Sequence, residues 1–176
     1  MITIVALVGS SGSGKTHASM YLQEKFCWDA IVSYTTRPMR DGEKNGRDHW
    51  FVKKKDKPLK KHMCAYTKFG GYEYWTTWQQ FSSLLPMVYV IDEKGILDLV
   101  ENIKDKPVKL VKVKINRPVR DDIDEERKSR DSERIELPSS FYDFNVNNDT
   151  TIDNFHTALN FIANVVNHQH YASTKK

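Results

Sequence analysis

Apolar positions along the chain follow two rhythms. Residues 2–8, Ile-Thr-Ile-Val-Ala-Leu-Val, form a nearly continuous apolar, β-branched run, the pattern of a strand buried on both faces of a parallel sheet. A glycine-rich stretch follows. Ala18, Leu22 and Phe26 then recur at helical spacing, which predicts a helix over 15–25. Short apolar runs predict strands at 30–34 and 87–91, the second ending at Asp92, and a brief last strand at 144–146. Residues 108–115 alternate Val, Leu and Ile with Lys, so that strand should have one wetter face. Over 150–168, Ile152, Phe155, Leu159, Ile162 and Val166 share a stripe, and Thr150 with Asp153 is spaced like a capping box. Residues 37–62 are polar, basic and punctuated by glycine, as in a ligand-facing excursion. Phe69-Gly70-Gly71 reads as a turn, 75–81 as the start of a helix, and 123–134 as a charged helix or lid with almost no apolar face. Strands alternating with helices predict an α/β fold with a mostly parallel sheet. There is no repeat and no low-complexity linker, and the tail 173–176 is expected to fray.

Composition narrows the class. With 176 residues, 39% hydrophobic and 11% aromatic, the chain can bury a core without disulfides and is not of disordered type. No apolar run approaches the roughly 20 residues of a membrane span, and the opening residues read as a strand rather than a signal peptide. Cys27 and Cys64 make neither a metal spacing nor a disulfide framework, so reduced thiols and a cytoplasmic location are expected. The net charge of +4 is unevenly spread. Residues 37–62 hold ten basic against four acidic side chains, and residues 121–136 hold four against eight. A nucleic acid or a small anionic ligand would each suit the basic block, and charge alone does not decide between them.

The glycine-rich stretch does more. Gly9-Ser-Ser-Gly-Ser-Gly-Lys-Thr16 fits G-x-x-x-x-G-K-[ST] between the first strand and the first helix. In such a loop, glycines let successive backbone N–H groups converge on phosphate oxygens at a helix N-terminus. Gly9, Ser11, Gly12, Ser13 and Gly14 should cradle the phosphates of ATP. Lys15 should reach the β- and γ-phosphates, and the Thr16 hydroxyl should bind Mg²⁺. A plain glycine turn would explain neither the Lys-Thr pair nor its position.

Ser33-Tyr-Thr-Thr-Arg37-Pro-Met-Arg40-Asp-Gly-Glu-Lys-Asn-Gly-Arg-Asp-His49-Trp-Phe-Val52 opens the basic excursion, with two arginines able to present forks to a phosphate. This stretch resembles the S-x-T-T-R-x-x-R-x-G-E-x-x-G-x-D-Y-x-F pattern of guanylate kinases, which transfer a phosphoryl group from ATP to GMP. The resemblance continues at Phe69-Gly-Gly-Tyr-Glu-Tyr-Trp-Thr76, at Val90-Ile-Asp-Glu-Lys-Gly95 and at Val146-Asn-Asn-Asp149, in the family's order. It implies a P-loop nucleoside monophosphate kinase built as a single unit: core 1–32, 87–116 and 138–172, acceptor-binding region 33–86 and lid 117–137. Residue by residue, it implies that Arg37, Arg40, His49 and Tyr74 hold the acceptor phosphate. Ser33 and Thr76 would sit by the acceptor base, Asn147 beside the ATP base, and Asp92 by Mg²⁺. Arg127, Arg130 and Arg134 fall where the family places lid arginines. ATP and a nucleoside monophosphate are the implied partners, with no nucleic acid and no membrane; monomer and homodimer both remain open.

The departures bear on substrate. His49 stands at the family's phosphate-binding tyrosine and could donate a hydrogen bond, more strongly when protonated. Cys64 and Val90 match the positions of the two guanine-reading carboxylates, with Glu73 a candidate substitute for one, and Trp75 replaces a glycine. GMP or dGMP is the first-choice acceptor. A kinase of another small phosphate ester, such as ribose 1,5-bisphosphate, and a non-catalytic phosphopeptide-binding module are the alternatives. Tyr72, Tyr74, Trp75 and Trp78 could wall a base pocket or simply pack. Lys53–Lys55, Lys57, Lys60 and Lys61 read as a solvated face, and His17, His168 and His170 are expected in solvent.

Overall fold

The computed structural model describes residues 1–82, 84–118, 134–149 and 151–174. A wholly parallel five-stranded sheet runs through its centre. Its strands are β1 (Ile2–Val8), β2 (Asp29–Ile31), β7 (Met87–Val90), β8 (Val108–Asn116) and β9 (Phe144–Asn147), in the spatial order β2-β7-β1-β8-β9. β1 is central, which is why it carries no polar face: Val5 and Leu7 point into one layer, Ile4, Ala6 and Val8 into the other. The first layer holds α1 (Lys15–Phe26) and α3 (Ile152–Thr174), through Ala18, Leu22, Phe155, Leu159 and Ile162. The second holds α2 (Glu93–Ile103), through Ile96 and Leu99, and meets the inner face of a second sheet at Cys64 and Ala65.

That second sheet, in the order β4-β3-β6-β5, is made from β3 (Tyr34–Thr35), β4 (Trp50–Phe51), β5 (Met63–Phe69) and β6 (Tyr72–Thr77). Two expectations change here. The single strand at 30–34 is instead two, because the chain leaves the central sheet after Ile31 and enters the second at Tyr34. The helix at 75–81 is a strand followed by one 3₁₀ turn, Trp78–Gln80. Its aromatic and β-branched residues suit a pleated surface, and β6 finds partners on both sides, which overrides the helical reading.

The wetter face of β8 is partly sheltered: Lys112 lies over the Phe141 ring at 5.4 Å and Lys114 over Tyr142 at 5.7 Å. Thr150 lies outside the described residues, and the hydroxyl of Thr151 accepts from Asn154 N–H at 3.2 Å at the start of α3. Ile152 is half exposed rather than part of the buried stripe, and the helix continues through Ser173. His168 is exposed as expected, but His170 is fully buried, with its Nδ1 2.9 Å from the Thr3 hydroxyl. Among the described residues, no helix is long and apolar enough to cross a membrane. The expected lid falls outside the described residues over 119–133, and Arg127 and Arg130 with it.

Candidate active site

Backbone crowding dictates the phosphate loop. Gly14 caps α1 at φ 105°, a left-handed conformation, and a Cβ there would stand 2.5 Å from Asn148 Nδ2. A Cβ on Gly9 would stand 2.4 Å from the Ile115 carbonyl oxygen. Asn148 braces the loop by donating from Nδ2 to the Ser13 carbonyl at 2.9 Å, while its own N–H donates to Asn116. Lys15 Nζ donates to the carbonyls of Gly9 and Ser10, both at 2.7 Å, so the ammonium is folded back across the loop. Ser13 is buried, Gly12 is exposed, and Thr16 is exposed on the first turn of α1.

On the facing side, Arg37 is 4% exposed and makes a two-pronged ion pair with Glu43, Nη1 to Oε2 at 3.0 Å and Nη2 to Oε1 at 2.7 Å. Burial works against both charges, yet the fork outweighs it, raising the pKa of Arg37 and lowering that of Glu43. Glu43 Oε2 also accepts from the Arg40 backbone N–H at 2.8 Å, so one carboxylate holds the Arg37 side chain and the Arg40 backbone. The sequence reading passed over Glu43 as a site residue, although the Gly-Glu pair of the motif marks it. The Arg37 guanidinium lies 5.4 Å from the Phe51 ring centre. His49 is fixed by Ser33, Oγ to Nδ1 at 2.9 Å, and packs edge-on to Tyr74. Burial, reinforced by the charge of Arg37, pulls the His49 pKa down to about 4, so the ring is neutral at physiological pH and the protonated donor does not arise there.

Ser11, Lys15, Arg37, Arg40, His49, Tyr74, Asp92 and Arg134 all line one cavity of about 200 Å³. Ala65, Thr67, Phe69, Tyr89 and Val90 also line it, with Thr67 paired across the strands to Tyr74. Several expected residues stand elsewhere. Thr76 is fully buried, between Cys64 Sγ at 3.0 Å and the Tyr89 hydroxyl at 3.3 Å. Burial pushes the Cys64 thiol up to about 11. The residues of β5 that reach the cavity are Ala65, Thr67 and Phe69, along with Tyr66, but not Cys64. Glu73 cannot stand in as a base reader: its Oε1 accepts from Lys57 at 2.7 Å and from Tyr66 at 2.8 Å, outside the cavity. Lys57 is thereby half-buried rather than part of the solvated lysine face. Trp75 stacks on Tyr34 and Trp78 packs in the core beside Phe81, so neither walls the cavity. Ser33 turns to His49, and Asn147 is exposed at the end of β9, accepting from Asn116 at 3.4 Å.

Asp92 caps α2, its Oδ1 accepting from Gly95 N–H at 2.7 Å. Burial raises its pKa, partly offset by the hydrogen bonds from Gly95 and Thr67. Thr16 lines a different cleft, between α1 and the 43–49 loop. Among the described residues no group of three or more His, Cys, Asp or Glu is placed to hold a metal. The donor chemistry therefore fits a Mg²⁺ held mainly by phosphates and water with the Thr16 hydroxyl, and not a dedicated protein cage. Arg134 lies in the cavity with its Nη2 paired to Glu93.

A family model described as guanylate kinase matches residues 1–139. The guanylate kinase of Lawsonia intracellularis is 28% identical over 105 residues, 55% of this chain and 50% of that protein. The guanylate kinase of Sus scrofa is 29% identical over 143 residues, 75% of this chain and 69% of that protein. The chain spans about half the length of the first curated relatives it matches. The crystal structure of guanylate kinase from Anaplasma phagocytophilum superposes with a TM-score of 0.64 at 21% identity, covering 96% of this chain and 87% of that one, and shows the fold.

Proposed function

We propose, given that this chain belongs to the guanylate kinase family, that it transfers the γ-phosphoryl group of ATP to a nucleoside monophosphate, with GMP or dGMP as the first-choice acceptor. One observation carries the reading: the lysine of the phosphate loop and the arginines of the basic excursion line a single cavity. An oxygen of the acceptor phosphate bonds to the γ-phosphorus as the bond to the β,γ-bridging oxygen breaks, and the electron pair leaves on ADP. No side-chain nucleophile is required, so the protein's part is to position and to neutralise charge. Lys15 exchanges its loop carbonyls for the β- and γ-phosphates, and Arg37, Arg40 and the Tyr74 hydroxyl hold the acceptor phosphate. The Thr16 hydroxyl would hold Mg²⁺, whose chemistry is to neutralise charge on the β- and γ-oxygens. The unit is single, with core 1–32, 87–116 and 138–172, acceptor region 33–86 and lid 117–137.

The acceptor base is assigned to Asp92, in place of the Mg²⁺ role that the resemblance implies for it, rather than to Cys64 or Glu73. The cavity's described carboxylates are Glu43 and Asp92, and Glu43 is committed to Arg37. A carboxylate offers about four lone-pair sites, so Asp92 can cap α2 and still accept from the N1–H and amino group of guanine. Ala65 and Val90 on the same wall favour one second reading, a smaller phosphate ester without a base. Measuring ADP formation across ribo- and deoxyribonucleoside monophosphates and ribose 1,5-bisphosphate decides. Turnover should be fastest with GMP or dGMP, and no ADP from any monophosphate would overturn the proposal.

A further inference from the structure

Glu93 is the first residue of α2, and only 7% of it is exposed. A carboxylate removed from water this far is costly unless a charge partner meets it. The partner is Arg134, 41 residues later in the chain, its own side chain 13% exposed. Tyr142 packs close enough for its hydroxyl to feel both charges. Nothing in the sequence pattern singled out Glu93, which falls at a position the family motif leaves open.

The location of the pair gives it meaning. Arg134 lines the cavity that holds Lys15, Arg37 and Asp92. It also lines a second cavity, of about 330 Å³, that takes in Gly9, Ser10 and Glu93 on the other side of the phosphate loop. Arg134 thus lines both the cavity of the acceptor's arginines and the one that takes in the donor's loop. An arginine on an open surface samples many rotamers, whereas one tied to a buried anion points in one direction. We propose that Glu93 is a positioning residue, holding Arg134 where its guanidinium meets the phosphoryl group in transit from ATP to the acceptor. Glu93 itself touches neither substrate and takes no proton. This rests on the kinase reading above.

A purely structural pair would lower stability when broken and leave turnover per folded molecule alone. A positioning pair lowers kcat. The experiment is steady-state ADP release with ATP and the best monophosphate of the panel, for wild type, Glu93→Gln, Glu93→Asp, Arg134→Ala and Glu93→Gln/Arg134→Ala, with melting curves alongside. Glu93→Gln should lower kcat by about tenfold or more while both KM values stay within about threefold, and Glu93→Asp should recover part of the loss. The double variant should be no slower than Arg134→Ala, because the two residues act as one unit. Free guanidinium, well below denaturing concentration, should partly restore Arg134→Ala but not the double variant. A Glu93→Gln kcat within twofold of wild type, or losses that multiply in the double variant, overturns the positioning role while leaving the kinase reading standing. If Glu93→Gln does not melt cooperatively, Glu93→Asp carries the comparison, and a folded Glu93→Asp with kcat within twofold overturns the proposal equally. A folded wild type that turns over no monophosphate overturns the kinase reading, and this role falls with it.

Discussion

The cavity's proposed phosphate end and proposed base end, named for the groups their residues would hold, are built on different principles. Among the residues proposed for phosphate, the lysine and the buried arginine are held by groups close in sequence: Lys15 by the carbonyls of Gly9 and Ser10, and Arg37 by Glu43, which also accepts from the Arg40 backbone N–H. At the base end the lining comes from β5, β7 and the start of α2, elements brought together only by sheet pairing and helix packing. The first end is a set of local motifs, and the second is a product of register. Phosphate chemistry should therefore be robust in a divergent chain, while base preference should shift with small changes in strand pairing.

The sharpest way to break this comparison is at Lys15. Lys15→Ala should reduce kcat/KM by about a thousandfold or more, while Lys54→Ala, on the exposed lysine segment, should stay within about twofold in the same ADP-release assay. Equal effects would mean that the local motif carries no special weight. Next comes the acceptor grip. Arg37→Ala should cost about a hundredfold and Glu43→Gln about tenfold, both mainly as a raised KM for the monophosphate with the KM for ATP nearly constant. The base end is then tested by Asp92→Asn, which should lower kcat/KM for GMP by about ten- to a hundredfold and narrow its advantage over AMP. Cys64→Ala should leave acceptor preference unchanged and cost about 1 kcal/mol in urea unfolding.

His49 gives a pH test of the cavity's lining. Its pKa is near the usual 6.5 when unfolded and about 4 when folded, so between those values the unfolded chain binds more protons. Stability from keeping this ring neutral is complete above about pH 6.5 and is lost as pH falls towards 4. The drop in melting temperature between pH 7 and pH 4.5 should therefore be smaller in His49→Gln than in wild type. An identical drop in both would show that His49 is not held neutral by its surroundings.

This contrast also explains what could be read in advance. β1, the phosphate loop and α1 follow from a continuous apolar run, a glycine motif and a helical spacing, all within 26 residues. The parallel order of the central sheet agrees with strands separated by helices. Arg37, Arg40 and Tyr74, singled out from the motif, all line the cavity. The failures lie where register decides. Pairing of β5 with β6 shifts between Met63 and Ala65. At this irregularity Cys64 and Ala65 both join the buried layer, yet Ala65 lines the cavity while Cys64 Sγ lies against the Thr76 hydroxyl, away from it. Linear matching to a motif cannot register such a shift. His170 escaped notice for a related reason: only the packing of α3 against β1 reveals that Thr3 meets it. Asn148, which braces the phosphate loop, lies 135 residues from its Ser13 partner; it falls within Val146-Asn-Asn-Asp149, but the motif does not say what it braces.

That brace has a consequence for how the protein is made. The phosphate loop is encoded in the first sixteen residues, yet its support is an amide at residue 148, just past the end of β9. A chain emerging from the ribosome therefore presents the loop sequence long before it has the loop's shape. If the chain binds ATP as proposed, the nucleotide would stabilise it only after β9 has joined the sheet, and would act as a check on the finished fold rather than as a guide to the early one.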